Sequence, residues 1–284
     1  MARAQEISAR IGSLKELLEI VGAIRAMAAV QLQQSQRSLN AVRDYIEIFR
    51  RALADAAGLL SDDDGSGIPV EPRPGLVVFC SEHGFCGGFN EPLIRAATEA
   101  SRSEANLHLI FVGTRGAQRS SEHGLRPELT LPMATHSGGV TAVARRVAAE
   151  LYRRFLEHAC TSVEVLFARE VAGHRATLEK LRLLPLDAPA VAVKDSEIPP
   201  IVNMRPRRLF DELAAEYMFA MLEAAAMESF ASENAARFRT MEAAHENIEN
   251  KSSELDRMAR RMRQESVTTE ILDLIGGFEA MKRR

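Results

Sequence analysis

The chain has 284 residues, with 36 Lys and Arg against 39 Asp and Glu, a formal charge of −3 and an apolar share of 46%. That length suits one or two domains of ordinary size, and such an apolar share without a Pro/Ser/Gln-rich tract excludes a globally disordered chain. The absence of Trp, the three Tyr and the abundance of Ala, Glu, Arg, Leu and Met form a palette for long helices and exclude an all-β domain.

From Met1 to Arg10 there is no hydrophobic stretch of signal-peptide type, and no later apolar run nears the roughly 18 to 20 residues that span a bilayer. A soluble protein is expected. Apolar residues recur at Ile7, Ile11, Leu14, Leu18 and Val21 and, after a weaker stretch, at Leu39, Val42, Ile46, Phe49, Leu53, Ala56 and Leu60. Alternating steps of three and four place one apolar stripe on a helix. With no proline before Pro69, this predicts a helix over 1–60, most of it unbroken for roughly 80 Å at 1.5 Å per residue. Ser61 to Gly67 then reads as a short acidic, glycine-containing linker, followed by Pro69, Pro72 and Pro74.

The period changes over 75–200. Leu76 to Cys80, Leu107 to Val112 and Val163 to Phe167 are short apolar runs of the buried-strand type, and Arg175 to Leu184 offers another strand. Helical stretches at Pro92 to Arg102 and Thr141 to His158 alternate with them, which predicts a small Rossmann-like α/β domain with a mainly parallel sheet. After Pro199, Pro200 and Pro206 the helical period returns over 207–284 without another proline. Counting sevens gives Met227, Asn234, Met241, Ile248, Leu255, Met262 and Thr269, with a companion row of Ala231, Phe238, His245, Ser252, Ala259 and Ser266. These resemble coiled-coil seam rows, half of them small or polar. The economical arrangement is an antiparallel intramolecular coiled coil of the two terminal helices, with the α/β domain inserted between them.

The sharpest local feature, Ser81 to Asn90, follows the first strand directly. Glycines at a strand-to-helix turn let backbone N–H groups approach a phosphate, yet the spacing is not GxGxxG and no GxxxxGK[ST] occurs, so a tight structural turn is the simpler reading. Cys86 beside His83 has the composition of a nucleophile and base, though a small cysteine packed in the turn fits better. Cys80, Cys86 and Cys160 form no CxxC pair, and the seven histidines show no HExxH spacing, so neither a disulfide framework nor a sequence-local metal site is indicated. His245 falls on a seam row and reads as a packed histidine. Arg257, Arg260, Arg261 and Arg263 crowd seven residues near the end. The missing aromatics and the balanced total charge speak against nucleic acid and for acidic protein loops, or for a plainly solvated helix face.

Several motifs, in order along nearly the whole chain, resemble the gamma subunit of F-type ATP synthase. Gly84-Phe85-Cys86-Gly87-Gly88-Phe89-Asn90 is similar to the family's G-[LF]-C-G-G-[FY]-N turn, and Leu183-Leu184-Pro185-Leu186 to its L-L-P-L segment. Ser232 to Met241 resembles S-E-[HQ]-A-A-R-M-x-A-M, and Arg263 to Ile271 resembles R-Q-x-x-I-T-x-E-I, with Gly276 and Gly277 following in place. The N-terminal helix aligns without a gap but departs: Glu19, Val21, Gly22 and Ile24 replace the family's K, T, K and M, and Gln31 replaces a usual lysine. Loss of that positive charge points to a divergent or alternative F-type ATPase.

The resemblance implies a rotor. The paired terminal helices would stand within a ring of three alpha and three beta subunits, with the α/β domain resting with epsilon on the membrane c-ring. Rotation driven by ion transport would change the beta subunits in turn. It implies a non-catalytic subunit without a cofactor or metal, and with no nucleic acid partner. Its place would be peripheral, at the cytoplasmic face of the bacterial inner membrane, held there only through the complex. Carried over by motif, Arg263, Gln264 and Thr268 are the expected beta-subunit contacts, Arg237 is a further one, and Gly84, Cys86, Gly87, Gly88 and Asn90 build the structural turn. The competing expectation, drawn from the residues alone, is a stand-alone α/β nucleotide-binding enzyme with coiled-coil arms for dimerisation.

Overall fold

A computed structural model describes residues 2–60, 73–104, 106–157, 160–170, 176–186 and 201–282. The expected linker at Ser61 to Gly67, residue Arg175 and the Pro199-Pro200 pair lie outside the described residues.

Helix α1 runs from Ala2 to Ala57. Among its side chains withdrawn from solvent, one unbroken series of fours and threes passes through Ile7, Ile11, Leu14, Leu18, Val21, Arg25, Ala28, Leu32, Ser35, Leu39, Val42, Ile46, Phe49, Leu53 and Ala56. The weaker stretch of the sequence is therefore the same seam carried by polar and small residues. Ser35, fully buried, donates its hydroxyl to the carbonyls of Gln31 and Leu32 at 2.8 and 2.9 Å, which lets it sit on an apolar face. The last helix, α5, spans Pro206–Lys282 and opens on a proline, whose fixed φ suits a first turn.

Division by compactness gives two units, residues 1–27 with 238–284 and residues 28–237, whereas the expected division 1–60, 75–200 and 207–284 is drawn by the type of periodicity. In the first unit Ile7 is buried, and Arg25 Nη1 donates to Glu242 Oε2 at 3.0 Å. There the heptad rows of α5 stay withdrawn from solvent through His245, Ile248, Ser252, Leu255, Ala259 and Met262, then become exposed at Ser266 and Thr269.

In the second unit the two long helices run antiparallel. Arg43 meets Glu228 at 2.7 Å, Tyr45 lies 3.4 Å from Glu216, and Leu53 packs with Ala214 and Tyr217. The same unit holds a five-stranded sheet. Its strands are β1 (Pro74–Phe79), β2 (His108–Val112), β3 (Leu129–Leu131), β4 (Ser162–Arg169) and β5 (Thr177–Leu184), in the spatial order β3-β2-β1-β4-β5. Four strands are parallel, and β5 pairs antiparallel with β4 along the edge. Three helices complete the layers: α2 (Asn90–Ser103), α3 (Thr114–Glu122) and α4 (Val140–Leu156). Neither β3 nor α3 is marked by the sequence pattern.

Side-chain alternation divides the sheet into two apolar faces. Val77, Phe79, Ile110, Val112, Val163 and Val165 face α4 and the α5 stretch from Leu222 to Ala231, joined by Leu39 of α1. Leu76, Val78, Leu109, Phe111 and Leu166 face Leu93, Ile94 and Ala97 of α2 and Ala117 of α3. Each fully buried large side chain here contributes about 1.5–3 kcal/mol. Two serines of α5 reach the strand ends: Ser229 Oγ donates to the Phe79 carbonyl at 2.9 Å and Ser232 Oγ to the Ala168 carbonyl at 3.0 Å. The long helix is thus fastened to the sheet by hydrogen bonds as well as by apolar packing.

Candidate partner-contact sites

The turn after β1 is built by its side chains. The backbone N–H of Ser81 donates to Asn90 Oδ1 at 3.0 Å and Asn90 Nδ2 donates to Ser81 Oγ at 2.7 Å, both groups buried. Asn90 thereby closes the loop while starting α2. Phe85 (φ +62°) and Gly87 (φ +57°) take left-handed conformations, the second at no steric cost. A Cβ at Gly84 or Gly88 would meet nothing within 4 Å, so these two keep the turn's surface low rather than relieving a clash. Phe85 stands out from it, 67% exposed.

Behind the turn the packing is closer. A Cβ on Gly116 would fall 2.0 Å from Cys80 Cβ, and Gly113 (φ +120°) has the Cys80 carbonyl oxygen where its Cβ would be, at 2.4 Å. The Glu82 carboxylate accepts from the Thr114 N–H (3.0 Å), the Thr114 hydroxyl (2.8 Å) and the Met133 N–H (2.8 Å), which ties the turn to the loops after β2 and β3.

Arg237 and Glu233 of α5 clasp this turn from the other side. Arg237 Nε donates to the Gly84 carbonyl at 3.3 Å, Nη2 donates to the His83 carbonyl at 3.5 Å, and Nη1 donates to Asn234 Oδ1 at 3.1 Å. Nη2 also pairs with Glu233. Both side chains are withdrawn from water, 12% and 4% exposed. Burial pushes the Glu233 carboxyl up to about 7, while Arg237 and the backbone of Glu82 pull it back. The guanidinium expected at a neighbouring subunit is therefore engaged inside its own chain.

The turn does not have the chemistry of a catalytic or nucleotide site. Burial raises the thiols of both Cys80 and Cys86, opposite to the activation a nucleophile needs. Cys86 Sγ meets the His83 carbonyl at 3.8 Å and not its ring. The cleft lined by Gly84, Cys86, Gly87, Asn90, Glu91 and Arg119 encloses about 100 Å³, below the range of ordinary ligand pockets. Glu91, in the first turn of α2, places a carboxylate where a phosphate would need a vacant helix N-terminus, and it already accepts from Arg119 at 2.7 Å. Among the described residues no group of three or more His, Cys, Asp or Glu is placed to hold a metal ion, and no helix is long and apolar enough to cross a membrane.

Arg263, Gln264 and Thr268 lie together on α5 in the first unit, exposed, lining a shallow cleft with Arg260 and Val267. Thr268 Oγ1 donates back to the Gln264 carbonyl at 2.8 Å. What the sequence reading missed is Glu233, although it stands four residues before Arg237, the spacing at which helical ion pairs form. It also missed Glu82, whose two partner residues, Thr114 and Met133, are far away in sequence.

Comparisons with known proteins bear on the chain as a whole. A family model described as ATP synthase matches residues 3–281. The ATP synthase gamma chain of Geotalea uraniireducens (strain Rf4) is 29% identical over 294 residues, covering 99% of this chain and 100% of that one. The gamma chain of Heliobacterium modesticaldum is 26% identical over 290 residues, with the same coverage. Among solved structures, a chain of the Euglena gracilis mitochondrial ATP synthase (OSCP/F1/c-ring, rotational state 3) shares the fold with a TM-score of 0.69 at 16% identity, covering 99% of this chain and 95% of that one. A chain from the central stalk and c-ring of the Tetrahymena thermophila mitochondrial enzyme gives 0.55 at 17%, covering 79% and 99%.

Proposed function

The chain belongs to the gamma-subunit family of F-type ATP synthases and is a central rotor stalk, and from that premise we propose that it carries torque between a membrane ion motor and a catalytic ring without performing chemistry itself. The observation that supports this most is the match along residues 3–281, with curated bacterial gamma chains covered end to end. The neighbours' names speak of F1, rotor and c-ring. By that likeness this chain assembles once per ring of three alpha and three beta subunits, with epsilon and the c-ring as its other partners. It then sits peripherally at the cytoplasmic face of a bacterial inner membrane.

The physical logic is that of differential contact. A single asymmetric stalk in a threefold ring touches each catalytic subunit differently, and a ligand affinity can shift only by what differs between states. Turning the stalk by a third exchanges the roles. Arg263, Gln264 and Thr268 offer an exposed charged and polar face for such contacts, and Arg237 we assign to bracing the turn that presents Phe85. With Glu19, Val21, Gly22, Ile24 and Gln31 in the first helix, this stalk serves a divergent or alternative F-type ATPase.

Native mass spectrometry of the tagged chain, purified gently from detergent-solubilised membranes, tests the reading. One copy with three alpha and three beta chains and ATPase activity is the expected result. A homo-oligomer lacking those chains, beside intact motor complexes in the same extract, would overturn it in favour of a stand-alone α/β enzyme.

A further inference from the structure

Helix α5 lies against the sheet largely through small side chains. Its buried apolar face there is Leu222, Ala225, Ala226, Met227, Phe230 and Ala231, and further alanines stand at Ala220, Ala224, Ala235 and Ala236. A face so rich in alanine has shallow ridges, so a slip of one turn, about 5.4 Å, would still set small apolar groups against the strands. The register has to be held by polar groups. Ser229 and Ser232 bond the ends of β1 and β4, and beside them stands Glu228, its side chain 6% exposed. Glu228 Oε1 accepts from Arg43 Nη2 of α1 at 2.7 Å and lies 3.6 Å from Arg169 Nε at the end of β4. Arg169 also reaches Glu179 of β5 at 3.7 Å and stands over the Phe167 ring. One carboxylate thus links α1 and α5 to the β4–β5 edge of the sheet, all within the same compact unit.

Two features make this carboxylate a key rather than one more contact. Ser232 and Glu228 are one turn apart on α5 and hold successive residues of one strand, the Ala168 carbonyl and the Arg169 guanidinium, so the end of β4 is gripped at two points. A slip of one turn in either direction would bring Ala224 or Ser232 to the place of Glu228. Neither can replace a carboxylate, and a buried charge parted from its partners is strongly unfavourable. The apolar face tolerates the shifted register; the ion pair forbids it. Resting on the rotor reading, we propose that Glu228 is the positioning residue that keys the paired helices to the α/β domain, so that torque entering at the domain turns α1 and α5 with it instead of sliding them past the sheet. Arg43 extends the key to α1, and Arg169 anchors it in the sheet.

The complete complex, reconstituted into vesicles, tests this through the ratio of ions pumped to ATP hydrolysed, which a smaller number of assembled complexes does not change. Glu228→Gln and Arg43→Gln are each expected to keep hydrolysis within about twofold of wild type and to lower that ratio several-fold. Arg43 is 57% exposed, so its variant reports even where a substitution at the buried position yields no folded chain. Arg43→Lys keeps the charge and is expected to keep most of the ratio. Because the two side chains share one interaction, the double variant should be no worse than the poorer single one. An unchanged ratio in Arg43→Gln, or hydrolysis and pumping that fall in proportion, would overturn the proposal and leave Glu228 a group that only stabilises the fold; losses that add in the double variant would overturn the pairing. A wild-type chain that enters no ring at all would fail the rotor reading itself, a result distinct from all of these.

Discussion

At the scale of single residues, the Glu233–Arg237 clasp sets the behaviour of the turn. Removing the guanidinium leaves a buried carboxylate without its partner, so Arg237→Ala should destabilise the chain by about 3–5 kcal/mol, and Glu233→Gln by clearly less. Urea unfolding of the purified chain measures both; equal losses would mean that the clasp is not held by charge. The pH dependence has a definite sign. Between the ordinary 4.5 and the folded value of about 7, the native chain holds a proton on Glu233 that the unfolded chain has released. Acid therefore favours folding in this window, and the contribution of this group falls as pH rises through it, contrary to an exposed paired carboxylate such as Glu47, held down to about 2 by Arg50 and Arg51. Glu233→Gln should flatten the stability profile between pH 4.5 and 7, and a profile as steep as wild type would assign the slope to other groups. Steric tolerance makes a second residue-scale case. Gly116→Ala forces a Cβ onto Cys80 and should lower the melting temperature by several degrees.

At the scale of elements, what was legible in the sequence and what was not follow from the same physics. The two long helices announce themselves because their seams repeat many times, and the central strands β1, β2 and β4 because burial on both faces makes them apolar runs. Helix α3 was invisible because its buried positions are Gly116, Ala117 and Ser120. It packs by close backbone approach, which leaves no hydrophobic period. Strand β3, with three residues, is too short for alternation to show. The contacts of Arg237 with the turn could not be read, because its carbonyl partners lie 153 and 154 residues away in sequence. Helix α1 also bears a prediction. Gly22 sits inside α1 with nothing within 4 Å of its would-be Cβ, so Gly22→Ala should stabilise by about 0.5–1 kcal/mol through backbone entropy alone. A thermal melt shifted downward would mean that space beside Gly22 is needed.

At the scale of the whole molecule, Arg263→Ala in the reconstituted complex should reduce coupling or turnover roughly tenfold through lost charge-assisted hydrogen bonds; wild-type coupling would remove Arg263 from the contact. A different consequence follows from Ser229 reaching the carbonyl of Phe79 across 150 residues of sequence. The sheet face that holds Val77 and Phe79 is covered by the α5 stretch from Leu222 to Ala231, and residues 28–57 of α1 pair with the same late helix. At translation speeds of about 5–20 residues per second, that cover arrives roughly 8–30 s after the first strand has been made. During the wait the nascent chain carries an apolar sheet face and an unpaired helix seam, both open to misassociation, and its many distant contacts slow the final closure. Folding of this unit is thus deferred until the Leu222 to Ala231 stretch of the last helix has emerged, so a chain ended before it is a substrate for chaperones and proteases rather than a shortened shaft able to enter a ring.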